Sequence, residues 1–528
     1  MLSTFHGLET ARRALSMHQS ALNTTGHNIA NANTPGYSRQ RVNFTQTEAF
    51  PKPAFNKPGI PGQLGTGVKA GEIQRVREEF LDQQFRGENN KHGYWETRQK
   101  SLEKMEDVMN ELSGNGISNV MDEFWKSMQD LAANPEDAGA RSVVRQSGIA
   151  VADTFNYTYE SLEAIQRDYG KQIGIEQNQI NSTLNQINEL NKQIASVEPH
   201  GYLPNDLYDK RDVLVDELSQ FVNISVDRVP SGGQAKAMAD GKYTISLLDR
   251  NGQDTGITLV DSETAEYNQI EVQFADGEGE SGLVTGITFT NDNTTIPFSD
   301  FDSSGSLKAM VEGFGYEDAN GGQAGIYPEM MRDLDQMVAT FAEAFNEQHR
   351  EGISLSEIQG DLGVGFEGFD FFAYSDDYNG DVQGAAKYLK VSDEILASRN
   401  NIAAAKNVGE NGERVGFAGD GGNALNLADV KEASLNFGGD LTNVNSFFQG
   451  VIGEMAVSTK EAGRLTDNSA SLRDSVHANR QSVSSVSLDE EMTNMIQFQH
   501  AYNAAARNIT MVDEMLDRII NGMGVGGR

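Results

Sequence analysis

The sequence predicts a mainly α, nested multidomain rod with a β-rich insert. Three observations point there. Apolar residues recur every seven positions at both ends of the chain, and again between residues 155 and 194. After Phe221 the pattern changes to alternation of apolar and polar residues. A seven-residue repeat holds one stripe of a helix against a partner helix, whereas alternation marks a half-buried strand.

At 528 residues the chain exceeds what one ordinary core supports. It has no run of about eighteen apolar residues, so no membrane-spanning helix is expected. The opening MLSTFHGLETARRALSMHQS is amphipathic and lacks an uninterrupted apolar segment. Export, if it occurs, is therefore expected to proceed without a cleaved secretory signal. The complete absence of cysteine excludes disulfides, cysteine nucleophiles and thiolate metal sites.

The net charge is −35, unevenly spread. Residues 1–100 hold 13 Lys/Arg against 8 Asp/Glu, residues 231–330 hold 4 against 17, and residues 469–528 hold 5 against 7. Ends near neutrality can pack closely, while an acidic middle repels its like and stays solvated. The missing basic patch argues against nucleic acid as a partner.

The first helix carries Leu8, Leu15, Leu22 and Ile29 at a spacing of seven, flanked by Ala11, Ala14 and Ala21. The stripe is thin, and such a helix needs a partner to be stable. It runs into NIANANTPGYSRQ (Asn28 to Gln40), where Pro35 disfavours a helical Thr34. Asn28, Asn31 and Asn33 crowd this helix end. An amide both donates and accepts, which suits a surface contacting equivalent neighbours without added charge.

The last helix has the matching half: Leu488, Met495, Tyr502, Ile509 and Leu516 repeat at seven. A second line (Phe498, Ala505, Val512, Ile519) lies beside them. Ser487 with Glu490 forms a capping-box pattern, and Asn521-Gly522 closes the helix. Neither stripe has an evident partner beside it in sequence, so the two ends are expected to pair as a coiled-coil-like domain. The candidate assembly interface is accordingly Leu8, Leu15, Leu22, Asn28, Ile29, Asn31, Asn33, Leu488, Met495, Tyr502, Ile509 and Leu516.

Between the ends, Pro51 to Gly67 is Pro/Gly-rich and irregular or extended. Phe155, Leu162 and Tyr169 repeat at seven, and so do Ile173, Ile180, Ile187 and Ile194, with a four-residue step at the join. That step is a stutter in one long helix. Running from Ala138 to Val197, it would be about 90 Å long, a length suited to a rod. Strand alternation then appears at Ile224/Val226, Tyr243/Ile245/Leu247 and Ile270/Val272/Phe274, punctuated by Asp-Gly and Asn-Gly turns. Helical spacing resumes at Tyr327–Arg350, residues 352–436 are Gly-rich, and Val444 to Val486 is helical.

The expected domains are 1–45 with 486–528 (terminal helices), 46–225 with 326–350 and 436–485 (long helical domain), 226–325 (acidic β-rich insert) and 351–435 (Gly-rich segment attached to the helical domain).

No catalytic site emerges. The eight histidines form no HExxH pair, and neither a GxSxG elbow nor a Walker A loop is present. The best metal candidate, DYNGDVQG, has Asp377, Asn379 and Asp381 at calcium-loop spacing. Val382 then takes the glycine position and Tyr388 the closing glutamate position. A solvated acidic turn explains it better.

With these motifs in hand, the chain resembles the flagellar axial proteins, the rod, hook and hook-associated subunits. The match rests on Asn28-Ile29-Ala30-Asn31-Ala32-Asn33-Thr34-Pro35-Gly36-Tyr37 and on LDEEMTNMIQFQHAYNAAARNITMVDEMLDRII near the C-terminal end. Ser38-Arg39-Gln40, the stretch Gly65 to Arg86, and Asn346, His349, Gly352 and Phe371-Phe372 are similar to the members at the hook–filament junction. The resemblance leaves the insert uncovered. It implies a structural, non-enzymatic subunit without cofactor or metal, placed outside the cell on the flagellum and exported by the flagellar type III route. Implied partners are copies of itself, the hook protein, a second junction protein, and a cytoplasmic export chaperone holding the C-terminal region, with no membrane partner. The alternatives are a hook or rod subunit, or an exported adhesin or enzyme whose activity resides in the insert.

Overall fold

The computed structural model describes residues 5–51, 55, 62–109, 116–277, 282–360, 367–380, 382–409 and 414–522. The fold is mainly helical with several small sheets. In chain order, α1 (Phe5–Ala30) leads into the hairpin β1 (Gln40–Gln46) and β2 (Val68–Arg75), then α2 (Glu79–Val108), α3 (Ile117–Ala133), α4 (Ala138–Val197) and α5 (Asn205–Phe221). Strands β3 (Ile224–Val229), β4 (Lys242–Leu248), β5 (Asp254–Asp261), β6 (Glu266–Tyr267), β7 (Ile270–Phe274), β8 (Val284–Phe289) and β9 (Thr294–Pro297) follow. Next come α6 (Ser306–Phe314), β10 (Tyr316–Glu317), β11 (Gln323–Ala324) and α7 (Ile326–Glu351). Short elements fill the Gly-rich stretch: α8 (Leu355–Ile358), β12 (Phe372–Tyr374), α9 (Ala385–Tyr388), β13 (Leu389–Val391), α10 (Asp393–Ala397), α11 (Gly422–Asp429), β14 (Leu435–Phe437) and β15 (Asp440–Thr442). Two helices close the chain, α12 (Val444–Ser484) and α13 (Leu488–Gly522).

The chain divides into two compact units. The first comprises residues 1–91, 180–269 and 469–528, and the second comprises 92–179 and 270–468. Helices α2, α4 and α12 contribute residues to both. The heptad positions of α4 are all buried: Phe155, Leu162, Tyr169 and Ile173 in the second unit, and Ile180, Ile187 and Ile194 in the first. The stutter therefore shifts the seam without ending the helix.

The expected β-rich insert folds into two separate sheets. The antiparallel sheet β3-β4-β5-β6 belongs to the first unit. The sheet β11-β10-β8-β7, with β9 on β8, belongs to the second.

In the first unit, α5 presents Asp209, Asp212 and Asp216 to a group of arginines. Arg75 bonds Asp209 (2.7 Å), Asp212 (2.9 Å) and Asp240. Arg77 holds both oxygens of Asp82 at 2.6 and 2.9 Å. Arg86 Nε meets Asp216 at 2.9 Å, and Arg480 Nη1 reaches the other Asp216 oxygen at 2.5 Å. Burial alone would push the Asp212 carboxyl up, but Arg77, Arg75, Arg86 and Arg211 together hold it far below the ordinary carboxylate range. Each buried charge is offset by an opposite one, which is the condition for tolerating charge in a core.

The second unit is centred on an aromatic cluster: Phe124, Trp125, Phe341, Phe345, Phe371 and Phe372, with centroids as close as 4.9 Å. The Asn346/His349/Gly352 motif fastens this cluster. Asn346 Oδ1 accepts from the backbone N–H groups of Phe371 and Phe372, and its Nδ2 donates to Phe372 O. His349 Nε2 accepts from Ala403 N at 3.0 Å, so Nδ1 carries the proton and donates to Phe369 O at 2.7 Å. Burial pulls the His349 pKa down to about 4, keeping the ring neutral. A Cβ on Gly352 would fall 2.0 Å from Asn423 Nδ2, so only glycine permits this approach.

Glu176 of α4 is also buried in the second unit, accepting from Ser306 Oγ at 2.5 Å at the first residue of α6. Burial pushes its carboxyl up to about 7 from an ordinary 4.5. Its folded-state stabilisation is complete below about pH 4.5 and is lost as pH rises through about 7. Glu176→Gln keeps a neutral partner for Ser306. It should raise stability at pH 8 by on the order of 3 kcal/mol and leave it nearly unchanged at pH 4.5, measured by denaturant titration at the two pH values. Equal effects at both would refute the protonation argument.

Candidate assembly site

Helix α1 packs against α13, and the register is antiparallel. A Cβ on Gly7 would lie 3.5 Å from Val512 Cγ2. Further along, His18 stands between Phe44 and Phe498, 6.3 Å from each ring centroid. At the other end Asn28 Nδ2 donates to Glu491 Oε2 at 3.1 Å. The deepest positions of α1 are Ala11, Met17, Ala21, Thr24, Thr25 and Asn28. Small residues there let the two backbones approach, while Leu8, Leu15, Leu22 and Ile29 lie half-buried on the flank. On α13, Ala505 is buried, Met495, Tyr502, Ile509 and Leu516 are half-buried, and Leu488 is exposed.

The asparagines separate into three roles. Asn28 is 1% exposed, which corrects its expected place on an outer surface. Its Oδ1 accepts from Tyr37 Oη (2.8 Å) and Gln40 N (3.0 Å), and its Nδ2 donates to Gln40 O (2.8 Å) and Glu491. All four of its hydrogen-bonding positions are used within the chain. Asn31 is half-buried and caps locally, donating to His27 O and accepting from Thr34 Oγ1. Asn33 is exposed.

The turn after α1 depends on glycine. Gly36 has φ +77°, and a Cβ there would sit 2.1 Å from Val213 Cγ2 of α5. Asn31, Pro35 and Tyr37 border a cleft of about 680 Å³ lined also by residues of α4 and α5.

Arg39 completes the site. Its Nε bonds Glu491 Oε1 at 2.8 Å, its two Nη atoms grip Glu490 at 2.9 and 3.0 Å, and its N–H donates to Ser484 O. Ser487 Oγ caps α13 at Glu490 N, 3.5 Å away, while the Glu490 carboxylate goes to Arg39. Sequence reasoning found the cap but missed Arg39 and Glu491 as partners. The local signal was an acidic run, Asp489, Glu490 and Glu491, in the first turn of α13.

Where α1 leaves it uncovered, α13 exposes Leu488, Met492, Ile496, Met511, Met515, Ile519 and Ile520. Nothing here resembles a reaction centre. Among the described residues no group of three or more His, Asp or Glu side chains is arranged to hold a metal, and no helix is long and apolar enough to cross a membrane.

A helical pair built from both ends of a chain, with apolar surface left over, defines a structural subunit of the axial type. Family models agree at both ends: "Flagella basal body rod protein" matches residues 8–37, and "Flagellar basal body rod FlgEFG protein C-terminal" matches 478–522. Between them, "Flagellar hook-associated protein FlgK helical domain" matches residues 102–366. Flagellar hook-associated protein 1 of Bacillus subtilis is 46% identical over the full length of both chains. That of Salmonella typhimurium is 25% identical, covering 97% of this chain and 98% of the relative. The structure of the flagellar hook junction protein FlgK from Burkholderia pseudomallei shares the fold over 76% of this chain and all of that one (TM-score 0.59, 13% identity). The chain belongs to the flagellar hook-associated protein 1 family, a family of structural components of the bacterial flagellum rather than enzymes.

Replacing Asn28 with alanine leaves Gln40 N and O without partners in a buried setting. The full-length protein should lose about 2–4 kcal/mol of stability in chemical denaturation. An unchanged midpoint would return Asn28 to the outer surface.

Proposed function

We propose that this protein is the junction subunit that assembles on the distal end of the hook and connects it to the filament. The observation that carries the reading is the α1–α13 pair, in which both rod-type segments meet and apolar side chains stay exposed. In this reading residues 1–45 and 486–528 form a coiled-coil-like domain. Its copies line an inner tube through Leu8, Leu15, Leu22, Ile29, Asn31, Asn33, Leu488, Met495, Tyr502, Ile509 and Leu516. The helical domain (46–225 with 326–350 and 436–485) carries the Gly-rich segment 351–435, and the acidic insert 226–325 turns most of its carboxylates to solvent, Asp240 excepted. Heterologous contacts of one surface with a different surface of the next copy build rings or helices rather than closed dimers.

The partners are further copies, the hook protein and a second hook–filament junction protein. Before export without a cleaved signal peptide, a cytoplasmic chaperone holds the C-terminal region. The assembled protein lies outside the cell.

Deleting the gene should leave intact hooks without filaments and release flagellin into the medium, read by electron microscopy of cells and an assay of culture supernatant. Filaments of normal number would overturn the proposal.

The free monomer poses a separate question. The α1 leucines are only half-buried, so the pair has a narrow seam, and ordering it on assembly guards against premature polymerisation. Away from the Asn28–Glu491 bond, hydrogen exchange across Leu8–Ile29 and Leu488–Leu516 should be fast in purified monomer and slow in isolated flagella. Strong protection in the monomer would rule out this gating.

A further inference from the structure

The Asn346/His349/Gly352 motif has no part in the assembly reading above. It lies wholly in the second unit, where His349 is fully buried with its ring 5.7 Å from that of Phe371. Beside it runs the backbone of residues 402–405. Ile353 and Ala405 exchange both backbone hydrogen bonds, at 2.8 and 3.2 Å. Asn423 Nδ2 donates to Ala403 O and Arg141 Nη1 to Ile402 O, each at 2.8 Å. His349 ties this run directly to α7, because its Nε2 accepts from Ala403 N–H at 3.0 Å.

The tie exists in one protonation state only. Nδ1 already donates to Phe369 O, so an added proton would sit on Nε2 and face the Ala403 N–H, donor against donor. It would also place a charge in a fully buried site. The charged groups around the ring do not compensate it. Glu357 of α8 draws the ring's pKa up, but Arg414 grips one oxygen of that carboxylate at 2.6 Å and Ser354 N–H meets the other at 2.8 Å. Arg141 of α4 and Arg414 push the pKa down. Arg141 is itself 1% exposed and directs its guanidinium to backbone carbonyls. On α7, Arg350 turns to Asp370 at 2.6 Å, and past the 402–405 run Asp420 accepts from Lys406 N–H.

We propose that His349 is an acid-sensitive latch, whose protonation at Nε2 releases residues 402–405 from α7 and loosens the Gly-rich segment that they anchor. Burial holds the folded ring at about 4, against an ordinary 6.5. The stabilisation is therefore complete above about pH 6.5 and is lost as pH falls through about 4. Three carboxyls of the same unit act in the opposite sense. Burial pushes Glu176 up to about 7, and Asp333 and Asp335 up to about 6, so they favour the folded state on acidification. The test must separate His349 from them.

Both tryptophans of the chain, Trp95 and Trp125, belong to the second unit, so tryptophan fluorescence follows that unit alone. Denaturant titrations of the full-length protein and its His349→Gln variant should be compared at pH 7 and pH 4. Glutamine keeps an acceptor for Ala403 N–H and does not titrate. Between pH 7 and pH 4 the unfolding constant of the unaltered protein should rise about a hundredfold relative to that of the variant. Equal responses would overturn the latch. Amide exchange in the unaltered protein, corrected for the intrinsic rate at each pH, gives a second reading if the variant does not fold. Peptides containing Ala403 and Phe371–Phe372 should lose protection between pH 6.5 and pH 4 while α4 around Leu162 keeps its own. Constant protection at Ala403, or its loss only together with α4, would equally overturn the proposal.

Discussion

The arrangement of the first unit depends on closing the chain on itself at Asn28, Arg39 and Glu491. Asn28 and Glu491 are 463 positions apart, yet the amide and the carboxylate bond directly in a buried setting. Closing a loop of that length in an otherwise unfolded chain costs on the order of 5 kcal/mol in entropy, more than a few hydrogen bonds return. The contact becomes affordable only when the segments leading to it are already fixed. The Arg–Asp group does this: Arg75 and Arg86 tie β2 and α2 to α5, and Arg480 brings α12 to Asp216. Six residues beyond Ser484 O, which Arg39 N–H engages, lies Glu490. The terminal pair is thus the last link in a hierarchy of contacts between segments remote in sequence.

That order explains why charge is used in the core. A buried ion-pair group adds little net stability compared with a well-packed apolar one, but it tolerates few alternative arrangements. Asp212 faces Arg75, Arg77 and Arg86 together, so a slipped α5 would leave several charges unmatched at once. In the second unit the same specificity comes from hydrogen bonds. Asn346 and His349 fix the Phe369–Phe372 backbone against α7, and the rings then pack.

Helix α4 was legible almost to its ends, because its heptad positions report directly on a continuous buried stripe. The α1 and α13 stripes were legible as helices too, although the seam proved to centre on Ala11, Ala21 and Asn28 rather than on the leucines. A heptad count weighs leucine heavily, whereas close helix packing is set by the smallest residues. The role of Asn28 could not be read locally, since its partners lie nine, twelve and 463 positions away. The Arg–Asp group was hidden for the same reason: each charge looks like surface until its counter-ion is placed. Strand alternation in 226–325 gave strands but not their partners, and two sheets fit that pattern as well as one. In 351–435 glycine content suggested irregularity, yet Gly352, and Gly368 at φ +99°, are there because backbone and side chains approach too closely for a Cβ.

In the proposed assembly, copies must stay apart before they join, and the exposed apolar side chains of α13 suit both demands. A few partly exposed side chains on one helix give much less contact than the roughly 800 Å² per partner of a stable interface. Two free copies therefore gain too little from one such contact to overcome the entropy lost on association. In the proposed assembly a copy arriving at a growing end meets several neighbours at once, and its rigid-body freedom is lost only once for all of those contacts. The same apolar residues that leave monomers apart then favour growth at an existing end. The strongly acidic stretch 231–330 adds repulsion between free copies at long range, screened over about 8 Å at physiological salt. Near-neutral terminal helices contribute little to that repulsion, so it weakens encounter without opposing the final fit.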